Sequence, residues 1–187
     1  GYRAIHFDEL VSSYKEQING LHEGGCDILF IETVFDTLNA KAALMAVENY
    51  FEENNVSIPV MLSGTITDKS GRTLSGQTVN AFLISISHFP LLSVGFNCAL
   101  GTKDLKPYMK RLSDSTDFYT SCHPNAGLPN AFGEYDQSPE NMIEQMKEYL
   151  DENLVNIIGG CCGTTYEHIK LLSEVVKKYK PRKLPNV

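Results

Sequence analysis

The sequence predicts an α/β fold in which helices alternate with the strands of a parallel sheet. Short, continuously apolar runs recur along the chain, and such runs are typical of strands that are buried on both faces. Between them lie longer segments with apolar residues at helical spacing. This alternation is typical of strand–helix–strand units.

The first elements have clear boundaries in the sequence. Asp8 to Glu23 is amphipathic, and Gly24-Gly25 end this first helix. The apolar run Asp27 to Glu32 predicts a buried strand. Thr37 to Asn54 is a helix that Asp36 or Thr37 can cap.

The rest of the chain repeats the same alternation. The further predicted strands are Pro59 to Ser63, Leu91 to Asn97, Asp117 to Ser121 and Leu154 to Ile158. The helices that follow them are Gln77 to Ser87, Asp104 to Leu112, Glu140 to Glu152 and Tyr166 to Tyr179. A long loop, Cys122 to Pro139, separates the fourth strand from its helix.

Polar or thiol side chains follow nearly every predicted strand. They are Glu32, Ser63, Thr65, Asn97, Cys98, Cys122, His123, Cys161 and Cys162. A doubly wound open sheet and a (β/α)8 barrel both produce the alternation, but convergence of several strand ends on one site is typical of the barrel. A complete barrel usually has about 250 residues, whereas this chain has 187. We therefore predict an incomplete TIM-type (β/α)8 barrel with about five β/α units, the first three being absent.

Composition and charge exclude several classes of function. The net charge of −7 disfavours nucleic acid and anionic membranes as partners. No apolar run approaches the ~20 residues of a membrane span. The five cysteines, an odd number, lie mostly at strand ends, which indicates metal-bound thiolates in a reducing cytoplasm rather than disulfides.

The most informative segment is Gly159 to Thr164, with the sequence GGCCGT. Its two thiols leave a strand, and Cys98 lies at the end of another. Adjacent cysteines alone are more often packing residues or a vicinal disulfide. Together with Cys98 and the flanking glycines, Cys161 and Cys162 favour an all-cysteine zinc site with one open position.

Three other residues have a metal-binding and a structural interpretation. Cys26 begins a strand and is interpreted as a core residue. Cys122 ends a strand and is interpreted as a residue of the barrel wall. His123 is interpreted as a hydrogen-bonded structural histidine rather than a metal ligand.

These motifs, in this order, resemble the homocysteine S-methyltransferase family. The shared motifs are Glu32-Thr33, Gly95-Phe96-Asn97-Cys98 and Gly159 to Thr164. Longer stretches are similar to the N-terminal homocysteine-binding module found in the cobalamin-dependent methionine synthases of that family. They are Ile31 to Ala40, Ser63 to Asp68, Gly71 to Gln77 and His123 to Asn130.

The resemblance implies a site and a reaction. Cys98, Cys161 and Cys162 would bind zinc, and Glu32 would bind the amino group of homocysteine. Because Asn97 is next to Cys98, we further expect it to orient the site or, by our own inference, to occupy the fourth zinc position in the absence of substrate. The reaction would be methyl transfer from methylcobalamin to homocysteine, giving methionine. Cobalamin and 5-methyltetrahydrofolate would be bound by other modules of the parent chain.

Several alternatives stay open at this point. The chain could belong to a methyltransferase that uses betaine or S-methylmethionine, or it could be an inactive zinc-binding fragment. We expect residues 1–180 to form the partial barrel and residues 181–187 to be a linker toward a folate-binding domain. Unpaired sheet edges at Asp27 to Glu32 and Leu154 to Ile158 predict a homodimer that covers them.

Overall fold

A computed structural model describes residues 4–184. Over this range, helices and strands alternate along the whole chain. The helices are α1 (Phe7–Glu23), α2 (Thr37–Asn54), α3 (Val79–Ile86), α4 (Thr102–Ser115), α5 (Pro139–Asp151) and α6 (Tyr166–Val176). The strands are β1 (Leu29–Val34), β2 (Val60–Gly64), β3 (Ser93–Gly101), β4 (Tyr119–Asn125) and β5 (Ile157–Ile158). None of these helices is long and apolar enough to cross a membrane.

The five strands form one parallel sheet in the order β1-β2-β3-β4-β5. Doubly wound sheets reverse their strand order at a switch point, whereas the wall of a (β/α) barrel runs in sequence order. The predicted α/β fold, a partial TIM-type barrel with five β/α units, is therefore confirmed.

The two faces of the sheet differ in polarity. Phe96 faces the helices, where its ring lies 5.6 Å from that of Phe82 in α3. Since side chains alternate along a strand, Gly95 and Asn97 face the barrel interior. Their partners in the parallel register are Ser121 and His123, so the interior face is lined by small and polar residues.

The chain after α6 packs against the amino end of the sheet. Arg182 is buried and its guanidinium donates to the Ser113 hydroxyl (2.8 Å) and to the carbonyls of Ser113 (2.7 Å), Thr116 (2.6 Å) and Phe118 (3.1 Å). These carbonyls lie at the end of α4 and just before β4. The predicted domain boundary after residue 180 stays a prediction, and residues 185–187 of the predicted linker lie outside the described range.

Both outer strands of the sheet pair on one side only within residues 4–184. At the β1 edge, Ile28 and Phe30 are exposed. A cavity of about 230 Å³ runs along this edge, between β1 and residues Tyr14 and Gln17 of α1.

Candidate metal and substrate site

Three thiols meet at the carboxyl ends of β3 and β5. The sulfur of Cys162 lies 3.6 Å from that of Cys98 and 4.0 Å from that of Cys161. All three sulfurs lie within 4.8 Å of one another. We call Cys98, Cys161 and Cys162 the thiol cluster. Within the described residues, it is the one group of three or more histidine, cysteine or acidic side chains placed to hold a metal ion.

The spacing of the thiol cluster suits zinc. Zinc binds thiolate sulfur at about 2.3 Å in tetrahedral geometry, which puts two sulfurs on one ion roughly 3.8 Å apart. The two closest sulfur pairs, at 3.6 and 4.0 Å, bracket this value. Three protein ligands also leave a fourth position for another ligand, as in catalytic zinc sites.

An irregular strand end places Cys98 in the cluster. Cys98 and Ala99 both have left-handed backbone conformations, with φ of 64° and 58°. The register between β3 and β4 shifts between Asn97 and Gly101. Such irregularities bend a strand and re-aim its side chains. Left-handed backbone at residues other than glycine also stores strain, which often occurs at functional sites.

Backbone hydrogen bonds from the end of β4 hold the other two thiols. The amide of Cys161 donates to the carbonyl of Pro124 (2.8 Å), and the amide of Cys162 donates to the side-chain oxygen of Asn125 (3.1 Å). The carbonyl of Cys162 accepts from the amide of Ala126 (2.9 Å). The cysteine pair is therefore fixed to the neighbouring strand before any metal binds.

Asn97 links the thiol cluster to the first two strands. Its side-chain oxygen accepts from the amide of Thr33 (2.9 Å) and the hydroxyl of Ser63 (2.7 Å). Its nitrogen donates to the Thr33 hydroxyl (2.8 Å) and to the sulfur of Cys161 at 3.9 Å. The amide is buried and both of its ends are used, which favours the orienting role over the role of a fourth metal ligand.

The Cys161 thiol is hard to ionise in its surroundings. Burial, and then the neighbouring Cys98, raises the pKa of the Cys161 thiol to about 12. A bound metal ion reverses this, because the cation stabilises the thiolate and binding releases the proton. The cluster is thus arranged so that its thiolates form together with metal binding.

Glu32 lies on β1, two residues beyond Phe30 and on the same face of the strand. The ring of Phe30 reaches into the interior, 5.3 Å from the imidazole of His123. The Glu32 carboxylate is exposed, lines the cavity at the β1 edge and has no side-chain partner within residues 4–184. The next residue, Thr33, is hydrogen-bonded to Asn97, which in turn contacts Cys161. Strand β1 thereby connects Glu32 to the thiol cluster.

The structure keeps the other two cysteines out of the cluster. Cys26 lies before β1 and packs against the core. Cys122 is fully buried beside Tyr149, on the outer face of the sheet, and burial raises the pKa of its thiol far above the ordinary value. Both placements agree with their structural interpretation.

The contacts of His123 agree only in part with its predicted role as a hydrogen-bonded structural histidine. It is absent from the metal-binding group, as expected, but its Nδ1 atom is buried and has no hydrogen-bond partner within the described residues. The expected hydrogen bond is therefore wrong. The imidazole ring instead packs against Phe30 and Gly159. A Cβ atom added to Gly159 would lie 2.6 Å from Cδ2 of His123.

Sequence reasoning missed Tyr135. This residue belongs to the long loop between β4 and α5, and its side chain packs against Gly163, the residue after Cys162. Burial, followed by contact with Cys162, raises the pKa of Tyr135 above its ordinary value. The signal in the sequence was weak, because a tyrosine in a long loop has no strand or helix to fix its position.

The fold and site define an α/β barrel-type domain with three thiols placed to hold a metal ion at the carboxyl ends of its strands. A family model described as homocysteine S-methyltransferase matches residues 1–176. The chain therefore belongs to the homocysteine S-methyltransferase family, as the resemblance of its motifs predicted.

Solved structures share this fold. The homocysteine methyltransferase MmuM from Escherichia coli, in its apo form, is 19% identical, with a TM-score of 0.72 over 93% of this chain and 59% of that one. Its oxidized form is also 19% identical, with a TM-score of 0.64 over 88% of this chain and 52% of that one. The chain thus spans between half and three fifths of the length of these structures.

Proposed function

We propose that this chain is the part of a methyltransferase that binds and activates homocysteine, with zinc held by Cys98, Cys161 and Cys162. The observation that carries the proposal is the meeting of three sulfurs at separations that suit one tetrahedral ion. A bound zinc ion would supply a fourth coordination position and stabilise a substrate sulfur there as a thiolate at neutral pH.

Glu32 and Asn97 would bind the substrate and position the site. A free thiol has a pKa near ~8.5, so homocysteine in solution is mostly protonated and a poor nucleophile. Glu32 has an exposed carboxylate that has no side-chain partner among the described residues, which suits pairing with the substrate ammonium group. Asn97 holds Cys161 and Thr33 at a fixed separation. It thereby sets the position of the thiol cluster relative to β1.

Zinc content tests the metal site. The reduced protein is expected to bind one zinc ion per chain, and Cys161→Ser to abolish tight binding, because two thiolates and a hydroxyl hold zinc poorly. Cys26→Ser, which removes a thiol outside the cluster, serves as the matched control and should retain the metal. Elemental analysis after dialysis measures both. Equal zinc content in the two variants would refute the site.

Homocysteine affinity tests Glu32. Glu32→Gln keeps the shape of the side chain but removes its charge, so we expect about 10- to 100-fold weaker homocysteine binding in the parent enzyme, with zinc content unchanged. The control is Glu52→Gln, an exposed carboxylate on α2. Titration calorimetry gives both affinities, and an unchanged affinity for Glu32→Gln would reject its role.

For the methyl donor, we propose methylcobalamin, with methionine as the product and 5-methyltetrahydrofolate as the source of the methyl group. The support is the similarity of four long stretches to the cobalamin-dependent methionine synthases. The cobalamin- and folate-binding modules would then lie elsewhere in the parent chain, and residues 181–187 would lead toward the folate module. Assaying the parent protein with methylcobalamin, betaine and S-methylmethionine decides between the donors, and turnover with only one of the last two would overturn this choice.

We also propose that two copies of the 187-residue chain associate through their open sheet edges. The exposed Ile28 and Phe30 beside unpaired backbone of β1 support this, because such edges pair readily with other strands. Light scattering should give the mass of a dimer. A monodisperse monomer at micromolar concentration would contradict it.

A further inference from the structure

Tyr135 packs directly against the turn that carries Cys161 and Cys162. A Cβ atom added to Gly163 would lie 2.2 Å from the Cβ of Tyr135 and 2.5 Å from its Cγ. Gly163 also has φ of 77°, a conformation that glycine adopts without strain. Because Gly163 directly follows Cys162, this contact fixes the tyrosine ring beside the second thiol of the pair.

The loop that carries Tyr135 is held on both sides of it. Before it, the side-chain oxygen of Asn130 accepts from the amides of Phe132 (2.9 Å) and Glu134 (3.0 Å). After it, the carbonyl of Gln137 lies 3.0 Å from Nε2 of the buried His168 in α6. The position of the tyrosine is therefore built into the fold rather than left to a free loop.

The contact with Gly163 places the Tyr135 side chain beside Cys162, and its phenol group interacts with that thiol. Cys162 is the exposed member of the thiol cluster, while Cys161 already has a donor in the side chain of Asn97. A metal-bound thiolate carries no proton, so in such a pair the phenol is the donor. Tyrosine suits this task, since its ordinary pKa of about 10 leaves it protonated at neutral pH.

We propose that Tyr135 is a positioning residue that donates a hydrogen bond to the metal-bound sulfur of Cys162. The inference rests on the proposed zinc site and deepens it. Three thiolates give a zinc ion a net negative complex, and a donor to one sulfur offsets part of that charge. The hydroxyl thereby strengthens metal binding and fixes the orientation of the Cys162 side chain, as outer-shell partners do in other metal sites.

Tyr135→Phe tests the proposal, because it deletes the hydroxyl and leaves the ring on Gly163. Tyr166→Phe is the matched control, since Tyr166 is an exposed tyrosine at the start of α6 whose hydroxyl contacts Glu167. Competition with a chromophoric chelator should show about 10- to 100-fold weaker zinc binding for Tyr135→Phe only. With cobalt(II) in place of zinc, its sulfur-to-metal charge-transfer band should move to longer wavelength, because an unbonded thiolate gives up electron density more easily.

The outcomes separate this inference from the proposed function. If the unaltered protein binds no zinc under reducing conditions, the proposed metal site fails and this inference fails with it. If it binds one zinc and Tyr135→Phe matches Tyr166→Phe in zinc affinity and in the cobalt band, the metal site stands and the role of Tyr135 is refuted. Weaker zinc binding without a change in the band also refutes it, since a general loss of structure gives that result.

Discussion

Two asparagines, buried Asn97 and half-buried Asn156, lie at opposite ends of the sheet and show how the molecule uses polar side chains that join neighbouring segments. At the amino end, Asn156 accepts from the amide and hydroxyl of Thr120 (3.0 and 3.3 Å) and donates to the carbonyl of Arg182 (2.7 Å). At the carboxyl end, Asn97 makes the equivalent links between strands, but one of its contacts is a cysteine sulfur.

The hydrogen-bond networks around Asn156 and Asn97 differ in the groups at which they end. The network at the amino end closes on itself, because the Arg182 guanidinium meets backbone carbonyls and a hydroxyl of the chain. The network at the carboxyl end leads to the thiol cluster, whose sulfurs have no cationic partner among residues 4–184. Closed networks contribute stability, whereas a network that ends in open ligands is suited to binding.

The largest effect is expected at the amino end. Arg182→Ala leaves three backbone carbonyls, two of them buried, without this donor, so the free energy of unfolding should fall by about 3 kcal/mol. Lys183→Ala, at an exposed neighbour, should change it by less than about 0.5 kcal/mol. Urea unfolding measures both. If the folded Arg182→Ala variant bound less than one zinc ion per chain, the amino and carboxyl ends of the sheet would be coupled. That result would contradict the separate roles assigned to them here.

The paired change Asn97→Ala and Asn156→Ala sharpens the comparison. Each removes a side-chain amide with several hydrogen bonds, buried at Asn97 and half-buried at Asn156, so each should cost about 1–3 kcal/mol of stability. Only Asn97→Ala should also weaken zinc binding, since it alone releases Cys161 and Thr33. Chelator competition on the folded variants is the measurement. Equal zinc affinity in both would mean that Asn97 is structural only.

The smallest effect concerns pH. Burial lowers the pKa of His123 below its ordinary value, so the unfolded chain binds this proton more readily than the folded chain. His123 therefore leaves the free energy of unfolding unaffected above about pH 6.5 and lowers it progressively as the pH falls below that value. His123→Gln should flatten the stability–pH curve of the metal-free protein in this window, and His88→Gln, at an exposed site, should leave its slope unchanged.

The order and type of the elements were predictable, but the ends of the strands were not. Helix α2 matches its predicted range because Asp36 caps it, accepting from the amide of Leu38 (2.9 Å). The third and fourth strands were predicted to stop with their apolar runs, yet the hydrogen-bonded ladder continues to Gly101 and Asn125. Ladder bonds use the backbone, so they extend through the polar residues of the site, where hydrophobicity gives no signal.

Some residues of the candidate site were also predictable from the sequence, and others were not. Cys98, Cys161 and Cys162 were identifiable because cysteines at strand ends must converge once the sheet is parallel. The fifth strand is shorter than predicted, Ile157–Ile158, since Leu154 and Val155 are core residues outside the ladder. Tyr135 was not identifiable, because its place depends on the packing of a long loop against Gly163.

The burial of Arg182 also holds the last described residues against the amino end of the sheet. Strand β4 has seven residues, which span about 23 Å at 3.3 Å per residue. Any module joined beyond Leu184 is therefore tethered at the opposite end of the sheet from the thiol cluster. Its effective concentration at the cluster is set by the reach of the connecting segment around the outside of the barrel. Lengthening or shortening that segment would change the rate of encounter without altering a single residue of the site.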